Sequence, residues 1–184
     1  KQQITHSLTP ALHSCRYAHW MNYFFTLKCL ALFVLVSIAH AETPKIMLAH
    51  KYHSDIVTRD YFASEKLDGI RARWTGSELM SRGGKRFAAP EWFIKEYPSI
   101  PMDGELWSKR GEYQKISSIT SRKEPHEGWR ELRFMVFDLP AMNAMFSERV
   151  EVMRQLPKTP FLATIPQRTY ADSKGLMNQF EDVI

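Results

Sequence analysis

The chain is expected to fold as an α+β domain whose sheet is mainly antiparallel, and three features carry that expectation. Short runs of β-branched, aromatic and alternating residues are joined by tight turn signals at Asp68-Gly69 and Gly83-Gly84. Helical patterns fall between these runs without the regular strand–helix–strand alternation of a parallel sheet. Length and composition are those of an ordinary globular domain large enough for a real core, so neither points to a fibrous or disordered class.

In chain order, Tyr61 to Lys66 and Ile70 to Trp74 read as two strands with Asp68-Gly69 turning between them, and Glu78 to Ser81 as a third. Pro90 suits a helix start, and Trp92, Phe93 and Tyr97 follow at helical spacing until Pro98 stops the run. Met102 to Trp107 is a strand interrupted by Gly104, while Tyr113 to Thr120 reads as a helix or irregular cover. Leu132 to Leu139 is the strongest strand, with Phe134, Val136 and Asp138 on one side and Met135, Phe137 and Leu139 on the other. Ser147 is expected to cap a helix running to about Leu156. Phe161 to Ile165 reads as a further strand, and the residues from Ser173 onward as a helix.

Ahead of this pattern, Met21 to Ala41 reads as a secretory signal peptide. Lys28 precedes an apolar run from Cys29 to Ala39, and Ala39-His40-Ala41 supplies small residues where a signal peptidase reads them. A buried core helix is the alternative; a membrane span needs about 20 apolar residues, more than this run offers. Residues 1–20 are read as upstream translated sequence outside the fold, and 42–184 as the folded part. The leader reading predicts a periplasmic location, with no stable membrane insertion once the leader is removed. Cys15 and Cys29 both lie before Glu42, so the mature part carries no thiol, which agrees with an oxidising compartment.

The net charge is +5, but residues 1–41 hold Lys1, Arg16 and Lys28 and no acidic residue. Without them the basic excess falls to two. A nucleic-acid surface must therefore come from local clustering, and Arg71, Arg73, Arg82, Lys85, Arg86, Lys109, Arg110, Arg122 and Lys123, interleaved with Trp74, Trp107 and Tyr113, offer one. A solvated charged face is the plainer reading for Lys109 and Arg110. His50 and His53 flank Lys51 without cysteine or carboxylate at metal-ligand spacing, which argues against a zinc site.

Lys66 is the candidate nucleophile. A lysine attacks phosphorus only as the free amine, so its surroundings must favour loss of the proton or accept it during attack. Arg71 offers a fork for an anionic oxygen at the start of the next strand. A bare K-x-D-G-x-R also describes a solvated hairpin with ordinary surface charges.

Three further stretches weigh against that plain reading. Glu65-Lys66-Leu67-Asp68-Gly69-Ile70-Arg71 is followed in order by Ser81-Arg82-Gly83-Gly84, Asp103-Gly104-Glu105-Leu106 and Phe134-Met135-Val136-Phe137-Asp138. Together they resemble the ordered motifs of the covalent nucleotidyltransferases, the DNA ligases, RNA ligases and capping enzymes. With the secretory leader and short loops, the chain from about Lys45 looks most like the small periplasmic-type ATP-dependent DNA ligases of Gram-negative bacteria.

The resemblance implies an antiparallel-sheet-rich, ATP-grasp-like adenylation domain acting on nicked double-stranded DNA. ATP and Mg²⁺ (or Mn²⁺) are its implied cofactors, a monomer its implied state, and DNA repair, replication and recombination its implied setting. Lys66 would attack the α-phosphorus of ATP. Glu65, Arg71, Arg82, Glu105 and Phe137 would line the nucleotide, with Phe137 stacked on adenine and Glu105 meeting the ribose or a metal-bound water. Arg73, Arg82, Lys85 and Arg86 would contact DNA. Physically, in-line transfer needs cations around the phosphates, Mg²⁺ prefers hard oxygen ligands and retains waters, and an aromatic face binds a purine by stacking.

The resemblance also implies a fourth motif with a metal-site glutamate, a fifth with lysines, and an OB domain. The 184 residues carry none of these. The expectation is therefore an adenylation domain incomplete at its C-terminus that seals nicks poorly or not at all. RNA ligase or capping activity, and a non-catalytic nucleic-acid-binding role, are the competing readings.

Overall fold

A five-stranded sheet in the order β2-β1-β3-β4-β5 organises the computed structural model. Its strands are β1 (Ile70–Trp74), β2 (Leu79–Ser81), β3 (Met102–Trp107), β4 (Arg133–Asp138) and β5 (Leu162–Thr164). The helices are α1 (Glu91–Ile94), α2 (Tyr113–Thr120), α3 (Phe146–Arg154) and α4 (Ser173–Glu181). The structure describes residues 47, 48, 53 and 55–181, and all of them belong to one compact unit. The proposed leader, residues 1–20, both cysteines, His50 and Lys51 lie outside the described residues.

Period-two patterning places the core. Ala72 and Trp74 of β1, Met102 and Leu106 of β3, Phe134 and Val136 of β4, and Leu162 of β5 are buried in one cluster with Phe93, Ile116, Val150 and Met153 from the helices. Trp129, Phe93 and Phe134 are its largest fully buried side chains. Truncating one of them to alanine removes about 3–5 kcal/mol by lost transfer energy and cavity formation.

The fold class is as expected, with the pairs β1–β2, β1–β3 and β3–β4 antiparallel. Four details differ. Tyr61 to Lys66 is not a strand: it makes a single isolated antiparallel bridge, Ala63 with Arg168, and is otherwise irregular. Its apolar residues are too few to supply a buried face, so no sheet neighbour claims it. Asp68-Gly69 is correspondingly no hairpin turn.

β5 runs parallel to β4, with Phe134 opposite Leu162 and Val136 opposite Thr164. β4, α3 and β5 thus form a strand–helix–strand unit, because a parallel return needs a crossover and α3 provides it. The cap of α3 also differs. Ser147 lies inside the first turn, and Glu148 instead reaches back to accept the Met145 amide at 3.0 Å. The helix begun at Pro90 is short, ending at Ile94, and Tyr97 then turns in to donate its hydroxyl to the Phe161 carbonyl at 3.0 Å.

Candidate active site

The face of the sheet opposite the core is set by the alternate residues of the same strands. β1 contributes Arg71 and Arg73, β3 contributes Asp103, Glu105 and Trp107, and β4 contributes Met135 and Phe137. Arg71 stands directly opposite Glu105, and Glu105 opposite Met135. A register shift follows: Gly104 pairs with Val136 but Asp103 with Asp138, leaving Phe137 as the extra residue of a bulge. Bulges re-aim side chains, and this one is where an aromatic is expected at the site. Gly104 permits the close approach, since a Cβ there would stand 2.5 Å from the Met135 carbonyl oxygen.

Arg71 is the most constrained of these side chains. Its Nε and Nη2 donate to the two Asp103 oxygens at 3.2 and 2.7 Å, and Nη2 also donates to the Met47 carbonyl at 2.8 Å. Its guanidinium carbon lies 5.1 Å from the centre of the Phe137 ring. Asp103 is wholly buried. Arg71 therefore stands on the same face as Glu105 and Phe137, as a guanidinium held by Asp103 and Met47 and laid over the aromatic ring rather than a freely swinging fork.

Glu105 joins this face to the Lys66 stretch by accepting the Gly69 amide at 3.2 Å. Gly69 is needed for close approach: a Cβ there would stand 2.3 Å from the Leu106 carbonyl oxygen and 2.9 Å from the Glu105 side chain. Burial pushes the Glu105 carboxyl up to about 7, against the opposing pull of the Gly69 amide, Lys66 and Arg71, with Asp103 adding to the rise. Lys66 itself is exposed, in the irregular segment ahead of Gly69. Glu65 is exposed as well and is held by Arg110, 2.7 Å from its carboxylate.

The chemistry of these donors bears on a divalent cation. Among the described residues no group of three or more histidine, cysteine or acidic side chains is placed to hold a metal. Asp103 is committed to Arg71, so Glu105 is the carboxylate left on this face. A nearby cation would favour the ionised form of this carboxyl, and Mg²⁺ commonly takes one or two protein carboxylates with water and substrate phosphates.

The basic positions separate into two groups. Arg73, Arg82, Lys85 and Arg86 collect on the β1–β2 edge. Arg73 pairs in register with Met80, Met80 bridges to Arg86, and the turn between them carries Arg82 and Lys85. In that turn Gly84 has φ +81°, the left-handed conformation that glycine adopts without cost. Arg82 and Lys85 are exposed, and Arg86 lies 3.3 Å from Glu78. Lys109 and Arg110 are engaged elsewhere, with Glu112 and Glu65. Two residues of consequence were not singled out from sequence, Asp103 and Arg149. Strand alternation put Asp103 on the face of Glu105, a usable signal, whereas nothing local marks Arg149.

No protein-family model matches the chain. Over 127 residues it is 37% identical to a DNA ligase of Haemophilus influenzae, an alignment covering 69% of this chain and 46% of that protein. The chain thus spans about half the length of the curated relative it matches. Among solved structures it is similar to a Lig E DNA ligase from a study of DNA binding with a minimal scaffold, at 36% identity and a TM-score of 0.68, covering 77% of this chain and 57% of that one. The adenylate form of Chlorella virus DNA ligase shares the fold at 17% identity and a TM-score of 0.59, over 74% of this chain and 54% of that one. The four ordered motifs, the sequence similarity and the fold agree.

Proposed function

We infer that this chain is the nucleotidyltransferase portion of an ATP-dependent DNA ligase, with Lys66 as its nucleophile. The observation that carries the reading is the Gly69–Glu105 hydrogen bond, which holds the Lys66 stretch against a face where Arg71 lies over Phe137. The substrate is ATP. The amine of Lys66 forms the bond to the α-phosphorus, pyrophosphate departs with the bond it held, and AMP remains on the lysine. AMP then passes to the 5′-phosphate of a nick, and the adjoining 3′-hydroxyl displaces it to seal the strand.

Within that sequence Phe137 offers a stacking surface for the purine, worth about 1–3 kcal/mol for a stacked base. Arg71 brings fixed positive charge beside the ring, and Glu105 is placed for ribose hydroxyls or for the hydration shell of Mg²⁺. When bound, Mg²⁺ (or Mn²⁺) supplies charge neutralisation across the phosphates. The half-buried Arg73 and the exposed Arg82, Lys85 and Arg86 lie together on the β1–β2 side of the sheet, suited to the phosphates of nicked duplex DNA, where backbone contacts dominate affinity. The protein acts as a monomer in repair, replication and recombination. The Met21–Ala41 pattern supports a periplasmic location. No helix among the described residues is long and apolar enough to cross a membrane.

Intact mass after incubation with ATP and Mg²⁺ tests the central claim. The chain is expected to gain one AMP, and Lys66→Ala to lose the adduct by at least about 1,000-fold in rate, as removal of a covalent nucleophile requires. An adduct that persists in Lys66→Ala would refute the assignment, and labelling by GTP in place of ATP would move the chain to the capping class.

A further inference from the structure

The segment carrying Lys66 lacks the sheet ladder of β1, β3 and β4, and it is held instead by the Gly69–Glu105 hydrogen bond downstream of the lysine and by contacts upstream of it. Ala63 and Arg168 exchange both backbone hydrogen bonds, at 2.7 and 2.9 Å. Beside Ala63, the half-buried Phe62 meets Phe146 edge-on with ring centres 5.5 Å apart. Phe146 opens α3, and its ring lies 5.4 Å from the Arg149 guanidinium carbon.

Arg149 is itself anchored twice. Its Nε donates to Asp138 Oδ1 at 2.7 Å and its Nη1 to the Ala144 carbonyl at 2.7 Å. Asp138 is buried and also accepts the Leu139 amide at 2.8 Å. It directly follows Phe137, the aromatic of the site. A planar fork gripping two fixed acceptors cannot slide, so the Phe146 ring beneath it is presented at one place.

We propose that Arg149 is a positioning residue for Lys66. Its fork, anchored on Asp138, sets Phe146; Phe146 seats Phe62; and that seat, with the Ala63–Arg168 bridge, fixes the approach of the lysine. The proposal rests on the reading of Lys66 as nucleophile. Its function is to keep register between the end of β4, which presents Phe137, and the irregular segment that presents the amine. In-line attack is sensitive to such register, since a misplacement of about 1 Å costs roughly 100-fold. None of Arg149, Phe146 or Phe62 belongs to the proposed nucleotide-lining set, so a loss of saturating rate with little change in ATP dependence separates positioning from a lost nucleotide contact.

The test compares Phe62→Ala, Phe62→Leu and Arg149→Lys with the unaltered chain at full length. Three quantities are read: hydrogen exchange at the Ala63 and Arg168 amides, thermal melting, and the rate of AMP attachment against ATP concentration. Phe62→Ala and Arg149→Lys are expected to speed exchange at both amides by about tenfold and to slow AMP attachment at saturating ATP by about tenfold. The ATP concentration for half-maximal rate should change less than about twofold, because the nucleotide contacts are untouched. Phe62→Leu should restore most of both effects.

Unchanged exchange, or an unchanged saturating rate, in folded Phe62→Ala would overturn the proposal. So would an equal rate loss in Ile119→Ala matched for melting temperature, since the effect would then be mere destabilisation. Should Arg149→Lys fail to fold, Phe62→Ala carries the test alone. If the unaltered chain accepts no AMP, the nucleotidyltransferase reading fails, while the exchange data still decide whether Arg149 positions the segment.

Discussion

Arg71 and Lys66 belong to one motif, yet the molecule holds them by different means. Arg71 sits on β1, paired in the backbone ladder with Glu105 of β3, and its guanidinium is locked by Asp103, Met47 and the Phe137 ring. Lys66 stands in an irregular segment, exposed, pinned upstream at Ala63 and Phe62 and downstream where Gly69 meets Glu105. The Arg71–Glu105–Phe137 face is built into the sheet, and the lysine proposed as nucleophile is hung beside it on a few point contacts. A rigid platform suits a bound nucleotide. A segment held at a few points depends on each of those contacts for its position, as a laddered strand does not.

This contrast predicts where damage is global and where it is local. The largest effect on stability should come from Asp103→Ala, which leaves the partly buried Arg71 without its counter-charge. The expected loss is about 3–5 kcal/mol in urea unfolding, the usual result of breaking one side of a buried pair. A loss under about 1 kcal/mol would mean that Arg71 finds water instead and that the sheet is less rigid at the site than its geometry implies.

A smaller effect belongs to Glu105, at the junction of the two regions. Its carboxyl is raised from 4.5 to about 7, chiefly by burial, so the folded chain binds a proton that the unfolded chain has released across that window. Stability from this group is full below about pH 4.5 and is lost as pH rises through about 7. Between about pH 5 and about pH 8, without divalent metal, the unaltered chain should lose about 1–2 kcal/mol relative to Glu105→Gln, a figure reduced for solvent screening. Parallel unfolding curves for the two proteins at both pH values would sink this account.

The smallest change in stability is expected at the outer edge. Arg86 and Glu78 form an exposed pair, so Arg86→Ala should shift stability by less than about 0.5 kcal/mol. Its effect should appear in DNA binding instead, as a salt slope reduced by about one. A full-strength slope would remove the β1–β2 edge from the DNA-binding surface.

Much of this was legible before any coordinates. Period-two patterning marked β1, β3 and β4, and it separated Phe134 and Val136 from Phe137; only the packing shows that Phe134 and Val136 are the core side. The four ordered motifs named Lys66, Arg71, Arg82, Glu105 and Phe137, and the pairing of strands brings Arg71, Glu105 and Phe137 to one face. Arg82 remains on the turn away from them, with the other basic residues of that edge. Glu65 is turned to Arg110, a partner that no spacing rule suggests.

Alternation, turn chemistry and residue type are local properties, so the amino-acid order was enough for the class of the fold and for β1, β2, β3, β4 and β5, though not for the irregular run from Tyr61 to Lys66. Direction and grip are not local. Whether β5 returns parallel depends on where α3 packs. The bulge at Phe137 depends on the fit between β3 and β4, and the irregular Lys66 segment depends on whether any strand lies within reach to pair with it. Asp103 beneath Arg71, and Arg149 between Asp138 and Phe146, acquire their roles from neighbours distant in the chain, and only the packed structure brings those neighbours into contact.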